Sequence, residues 1–435
     1  MASDPKIGTF SALSIGIGGM VGGGIFAVTG LTIQLTQGAA PIAFVVAGIV
    51  ALLTSYSYLK LTLAFPSEGG TVEFLNRGFG SGVFTGALNI LLSFSYVVLL
   101  AVYAYAFGGY VASFFPAEDY FFWNHVFASG LIILLVAVNT YSIDLVIRSE
   151  NAFNLGKMAL LVLFVIVGLA SPIEWERFTP SAYVPPFEII AGAMIIFLNY
   201  EGFELIANAA PDIKNPKRAL PVAYIGGVLI AIALYVLITI VVLGHMTFAE
   251  VASHSDYALS AAAQTFMGTS GYLIVTAAAL LATSSAINAT FYGAGRLTYV
   301  IAKSGELPKE LERSIRGQPL EGMFIFALLA LYLVNFLPLN AIATMGSAGF
   351  LLIFLAVNLA NVRLARKTES RAWISIAGML ACAIALAALC WQVWKVPATR
   401  DHLWILVAMI VGSLVLEVIY RTATKRGIHL GRKPG

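Results

Sequence analysis

The sequence predicts an all-α polytopic membrane protein with about 12 transmembrane helices, and three observations carry that prediction. Of 435 residues, 59% are hydrophobic and only 11% are charged, with a mean hydropathy of +0.88, whereas soluble domains carry about 25% charged residues. Apolar segments of about 20 residues, the length that crosses a bilayer core, recur along the whole chain. Two of these segments are interrupted at mid-depth by glycines or carboxylates that lipid does not tolerate.

In order, the apolar segments lie near 10–35, 39–64, 82–114, 121–141, 151–171, 187–209, 220–244, 270–300, 322–337, 341–361, 371–394 and 402–420. The longest polar stretches, about 302–321 and 245–268, read as loops, so the chain is one membrane domain. The opening Met1-Ala2-Ser3-Asp4-Pro5-Lys6 leads into a span too long and too glycine-broken for a cleaved signal peptide, and the first span is expected to be retained.

Charge is partitioned although the net value is only +3. Lys214, Lys217 and Arg218 follow the sixth span, and Lys303, Lys309, Arg313 and Arg316 the eighth. Arg363, Arg366, Lys367 and Arg371 follow the tenth, and Arg421, Lys425 and Arg426 the last. The alternate loops hold Glu118, Asp119, Glu174, Glu176, Glu250 and Asp256, against Arg177, Lys395 and Arg400 alone. The positive-inside rule then puts both termini in the cytoplasm and the chain in the cell membrane. That rule explains the basic clusters without a nucleic-acid partner. Cys382 and Cys390 share one apolar segment and read as packing residues. No metal-ligand spacing, Walker motif, nucleophile with its base, or dinucleotide fingerprint occurs, so neither a metal nor a cofactor is expected and the chain does not read as an enzyme.

The first break is Gly16-Ile17-Gly18-Gly19-Met20-Val21-Gly22-Gly23-Gly24-Ile25-Phe26. Each glycine disfavours helix by about 1 kcal/mol relative to alanine, and an unwound backbone at this depth survives only around a cavity or ligand. Gly18 to Gly22 also has the spacing of a tight helix-packing face. Three consecutive glycines cannot all face one neighbour, however. The second break is Ile195-Ile196-Phe197-Leu198-Asn199-Tyr200-Glu201-Gly202-Phe203-Glu204, which puts two carboxylates at mid-membrane. It lies five spans after the first, so the broken helices cross in opposite directions. That is the pattern of an inverted five-plus-five repeat, residues 8–171 and 186–361, with 371–422 as two accessory helices.

Further motifs accompany the breaks: Asn215-Pro216 with Leu220-Pro221, Ser284-Ser285-Ala286-Ile287-Asn288-Ala289-Thr290, and Gly305-Glu306-Leu307-Pro308. With Gly22-Gly23-Gly24-Ile25-Phe26 and Tyr200-Glu201-Gly202-Phe203-Glu204, the chain resembles, over essentially its whole length, proton-coupled permeases of the amino acid, polyamine and organocation (APC) superfamily. The resemblance implies the inverted-repeat fold of bacterial leucine transporters and proton-coupled symport of amino acids by alternating access. The other reading is an amine or polyamine carrier or an amino acid/amine exchanger, with Glu201 recognising a cationic group. Proton is then the coupling ion, and the partners are a small amino acid or amine and the lipid bilayer. The sequence does not set an oligomeric state.

A zwitterion needs donors for its carboxylate and acceptors for its ammonium. The amides of Gly22, Gly23 and Gly24 would open the second half-helix and favour an anion, and carbonyls near Met20 would accept from the ammonium. The resemblance adds carbonyls at Leu198 and Glu201. Where many relatives carry an aromatic gate this chain has Leu198, with Phe197 or Tyr200 as candidate substitutes. Relatives carry an apolar residue at the position of Glu201, so its carboxyl is read either as a substrate or proton group or as a neutral acid bonded to unwound backbone. Glu204, beside Gly202, is read as bonding amides freed by the break.

Lys157 lies about seven residues into the fifth span, too deep to reach the headgroups easily. The resemblance places its ammonium between spans one and eight, where sodium-coupled relatives hold a cation. Its implied partners are the Gly18 carbonyl and the hydroxyl of Ser284 or Ser285. In the third span Asn89, Ser93, Ser95, Tyr96 and Tyr103 are candidates to line the pathway, although Tyr103 and Tyr105 also suit an interfacial belt. Asn288, Asn358 and Asn361 suit helix-to-helix hydrogen bonds.

Overall fold

The computed structural model describes residues 7–141, 143–303 and 320–424, and the described chain is helical throughout. Its extended pairing is limited to two isolated bridges, Ile7 with Ile213 and Gln37 with Tyr183, among the described residues. The first six residues, the motif Gly305-Glu306-Leu307-Pro308, Lys309, Arg313, Arg316, Lys425 and Arg426 lie outside the described residues.

The first half comprises α1 (Thr9–Met20), α2 (Gly24–Thr36), α3 (Ala40–Ala64), α4 (Thr71–Phe79), α5 (Val83–Ala112), α6 (Tyr120–Tyr141) and α7 (Ile143–Ala170). The second comprises α8 (Pro186–Ile195), α9 (Leu205–Asn208), α10 (Pro216–Pro221), α11 (Gly227–His245), α12 (Phe248–Ser253), α13 (Ala258–Lys303), α14 (Leu320–Phe336) and α15 (Leu339–Arg363). Two more helices, α16 (Ala372–Lys395) and α17 (Asp401–Ala423), follow. Among the described residues, eight helices are individually long and apolar enough to cross a membrane. Two bent pairs, α1 with α2 at 48° and α8 with the segment Phe197–Asn208 at 55°, pass the same test when joined. The shorter apolar segments Asn154–Ala170 and Glu321–Phe336 stand where the fifth and ninth spans are expected. The fold is an all-α polytopic membrane fold.

Three local features differ from the sequence expectation. The stretch 245–268 is not an open loop: α12 is opened by a capping box at Thr247 and Glu250, and α13 starts at Ala258 and kinks at Gly268, where φ is +64°. Gly268 supplies a left-handed turn that other residues rarely adopt. The helix α4 between the second and third spans is amphipathic, with Glu73 and Arg77 paired along one face, and its nine residues were too short to stand out from the flanking loop. The seventh span begins at Pro216 and passes through a π turn at Val222–Gly226 just after Pro221, because proline removes a backbone donor there.

Burial sorts the helices. Of the apolar stretch that each helix offers to a bilayer, 83% is buried in α5 and α15, against 33% in α16 and 22% in both α6 and α17, so these three helices flank the bundle. Polar side chains tie α16 to it. Ser57 donates to Asn358 Oδ1 at 2.7 Å and its hydroxyl oxygen lies 2.9 Å from Ser375 Oγ, and Asn361 donates to Ser375 at 2.8 Å. Such bonds matter in lipid because no hydrophobic force pushes apolar helices together; each contributes about 0.6–2 kcal/mol. Asn288 meets Asn139 of α6 at 2.6 Å in the same way. At the chain start, the Ile7 amide donates to Asp212 O at 2.9 Å and the Lys214 amide to Ile7 O at 2.8 Å. The entry to α1 is thereby strapped to the segment after α9.

Candidate functional site

The two helix breaks touch backbone to backbone. Gly202 has φ +113°, and a Cβ there would overlap Gly19 C and lie 2.6 Å from Met20 N. A Cβ on Gly19 would lie 2.9 Å from both Gly202 Cα and Gly202 O. Each of the three consecutive glycines faces something different. A Cβ on Gly22 would sit 3.2 Å from Ala286 Cβ, one on Gly23 would sit 2.7 Å from Tyr103 Cδ1, and one on Gly24 would overlap Asn199 Oδ1. Among the described residues no protein group accepts the amides of Gly22 or Gly23. They stand at the start of α2, where unpaired N–H groups and the helix dipole favour an anion.

On the carbonyl side, the Tyr235 hydroxyl of α11 lies 2.6 Å from Met20 O and 2.9 Å from Asn199 O, so one phenol bridges the two breaks. Ser347 of α15 spans the second break: its hydroxyl donates to Ile195 O at 2.7 Å and accepts the Leu198 amide at 3.1 Å. The Leu198 carbonyl accepts the Glu201 amide at 3.1 Å. Glu204 accepts the Gly202 amide at 2.6 Å through Oε2 and the Tyr96 hydroxyl at 3.1 Å through Oε1. Glu201 is 1% exposed, yet neither of its carboxyl oxygens has a hydrogen-bond partner among the described residues. The ion pairs among the described residues are Arg77 with Glu73, Lys395 with Glu188 and Arg421 with Glu417, so among those residues no base is ion-paired with Glu201 or Glu204.

A cavity of about 710 Å³ runs along α1 from Phe10 to Gly18 and Gly19, bounded further in by Tyr96, Tyr103, Gly202, Glu204, Ser285 and Ala286. Lys157 is fully buried and donates to Gly18 O at 3.1 Å. Asn154, one helical turn before it, also lines the cavity and lies against Gly18. The opposite end is packed shut. A Cβ on Gly30 would overlap the Ser255 backbone, one on Gly38 the Arg177 carbonyl, and one on Gly192 would lie 2.6 Å from Thr36 Cγ2.

Of the residues singled out in the sequence, Gly18, Gly202, Glu204, Tyr96, Tyr103 and Ser285 line this cavity, and Lys157 is bonded to its wall. Ser284 is not among the lining side chains. Phe197 packs edge-on against Phe354, and Tyr200 donates to Phe44 O at 2.6 Å, so neither candidate gate residue reaches the cavity. Leu198 is buried off the cavity, and the Met20 carbonyl is already engaged by Tyr235. Tyr103 stands over Gly23 rather than in an interfacial belt, whereas Tyr105 is turned toward His125. In the third span, Ser93 and Ser95 bond their own helix at Asn89 O and Leu91 O.

A family model described as amino acid permease matches residues 7–415. The chain belongs to the amino acid permease family. It is 33% identical to an inner membrane transport protein of Escherichia coli over 425 residues, which covers 97% of this chain and 96% of the relative. It is 32% identical to an uncharacterized protein of Methanocaldococcus jannaschii over 427 residues, with the same two shares. A branched-chain amino acid permease of Lactococcus lactis is 26% identical over 380 residues, 82% of this chain and 81% of that one.

Two residues of this permease that hold the breaks together escaped the sequence reading. Tyr235 sits in Ile232-Ala233-Leu234-Tyr235-Val236, in the most hydrophobic of the spans. A phenol in so apolar a helix is itself a signal, because a buried phenol needs a partner. Ser347 lies in Gly346-Ser347-Ala348-Gly349, which reads as a small-residue packing face. Nothing in that pattern reveals that its hydroxyl takes up a freed carbonyl and a freed amide.

Proposed function

We propose that this permease carries amino acids across the cell membrane as a proton-coupled symporter working by alternating access, without a catalytic step or cofactor. The substrate carboxylate binds at the Gly22, Gly23 and Gly24 end of α2. Its ammonium binds at the unwound carbonyls, with those of Met20, Leu198 and Glu201 the candidates. Residues 8–171 and 186–361 act as inverted repeats, with 371–422 accessory. With both termini cytoplasmic, the cavity along α1 is the cytoplasmic approach and the described conformation faces inward.

The observation that carries the coupling reading is the 3.1 Å bond from Lys157 Nζ to Gly18 O, two residues before Met20 and four before Gly22. A lysine charge at that depth is costly unless paired, so its protonation state is linked to where the first helix sits. Protonated, Lys157 holds spans one and eight together, with Ser285 at hand from α13; deprotonated toward the cytoplasm, it lets them part. Uptake of radiolabelled alanine into proteoliposomes under an imposed pH gradient tests this. An inside-alkaline gradient should drive accumulation above the external concentration, and collapse of the gradient by a protonophore should abolish it.

A further inference from the structure

The second break carries four buried side-chain atoms that no protein group bonds: both carboxyl oxygens of Glu201, and Oδ1 and Nδ2 of Asn199 two residues earlier. Native folds leave few such groups, and each needs a reason. Asn199 Oδ1 faces Gly24 at the start of α2. Glu201 is held within electrostatic reach of Tyr58 from α3, Tyr96 and Tyr103 from α5, and Glu204 from its own segment. None of these groups is cationic. Glu204 is already satisfied by the Gly202 amide and Tyr96, whereas Glu201 is not. Lys157 donates to Gly18 O at 3.1 Å.

We infer that Glu201 is the seat for a second ammonium group of the substrate, and that it gives up its own proton when that group arrives. The inference rests on the reading of the breaks as an amino acid site, and it extends the substrate class to diamino acids such as lysine. An ionised carboxyl with no donor and no counter-charge is strongly disfavoured in a dry interior. The empty site therefore holds Glu201 as the neutral acid, which can donate one hydrogen bond at most. A side-chain ammonium supplies three donors and a full charge. On binding, the carboxyl O–H bond breaks, the proton passes to bulk water, and the carboxylate pairs with the ammonium. Net charge at the site is unchanged: one proton goes out as one ammonium comes in.

Calorimetric titration of the purified full-length protein with L-lysine and L-alanine, each in two buffers of different ionisation enthalpy, counts the protons. The two ligands share the carboxylate and the α-ammonium, so any proton moved by Lys157 cancels in the difference. Lysine should release about one proton more than alanine, and Glu201→Gln should remove that extra proton and weaken lysine relative to alanine by at least about tenfold. Where the glutamine variant is too unstable to purify, the wild-type difference alone decides. Lysine binding with no extra proton, or alanine binding with lysine excluded, would overturn this inference and leave the amino acid reading standing. Failure of both ligands to bind would remove the amino acid reading and this inference with it.

Discussion

Gly19 and Gly202 are the contact on which the two broken helices turn: a Cβ on Gly19 would lie 2.9 Å from both Gly202 Cα and Gly202 O. The two breaks therefore share one crossing, and the shape of the site depends on the absence of two side chains. Gly202 is doubly constrained, since its φ of +113° is also outside the range of L residues. Gly202→Ala should cost about 2–4 kcal/mol through overlap and backbone strain. A lowered melting temperature in detergent, with loss of amino acid binding, checks it. Gly226→Ala is the control, because a Cβ there meets nothing nearer than 3.9 Å.

Tyr235 provides a second test. Its phenol has one proton to share between Met20 O and Asn199 O. Tyr235→Phe leaves two buried carbonyls without a donor, a loss of about 1–3 kcal/mol, and frees the register between the breaks. Both stability and substrate affinity should fall. Tyr200→Phe removes a bond of equal length to Phe44 O, away from the cavity, and should lower stability alone. Thermal melts and binding titrations of the pair distinguish the two roles.

The serines of α13 can also be told apart. Ser285 lines the cavity beside Gly18, while Ser284 does not. Ser285→Ala should therefore reduce pH-driven uptake several-fold, and Ser284→Ala should leave its pH profile in place. Initial uptake rates across a pH series measure both.

Outside the membrane, the Thr247 backbone and side chain both donate to Glu250 and hold its carboxyl below the usual range. A carboxylate lowered in the folded state adds stability that is present at neutral pH and fades as pH falls through its folded value, from about pH 4.3 downward. Loss of the cap by Thr247→Ala should cost about 1 kcal/mol of local stability. Amide exchange at Val251 and His254, which bond back to Thr247 and Glu250, should speed up in that variant at neutral pH and in the wild type on acidification.

Much of this arrangement was legible in the sequence because lipid punishes unpaired backbone. Three consecutive glycines at 22–24 and two carboxylates at 201 and 204 could not be hidden in an ordinary span, and they located both bends. Lys157 stood out for the same reason. What stayed illegible depended on rotation about helix axes. Phe197 and Tyr200 flank Leu198 in sequence, but the 3₁₀ turn at Phe197–Tyr200 directs them at Phe354 and Phe44 rather than at the cavity. Spacing in an unwound segment does not set a face. Tyr235 and Ser347 were missed because each acts across a tertiary contact, from α11 and α15, that no local pattern encodes.

The coupling role of Lys157 is tested most directly by Lys157→Ala in proteoliposomes, with counterflow and pH-driven accumulation measured on the same preparation. The alanine variant should retain exchange of labelled for unlabelled amino acid while losing accumulation under an inside-alkaline gradient. Undiminished uphill accumulation with the wild-type pH dependence would show that the bond from Lys157 to Gly18 does not carry the proton into the cycle.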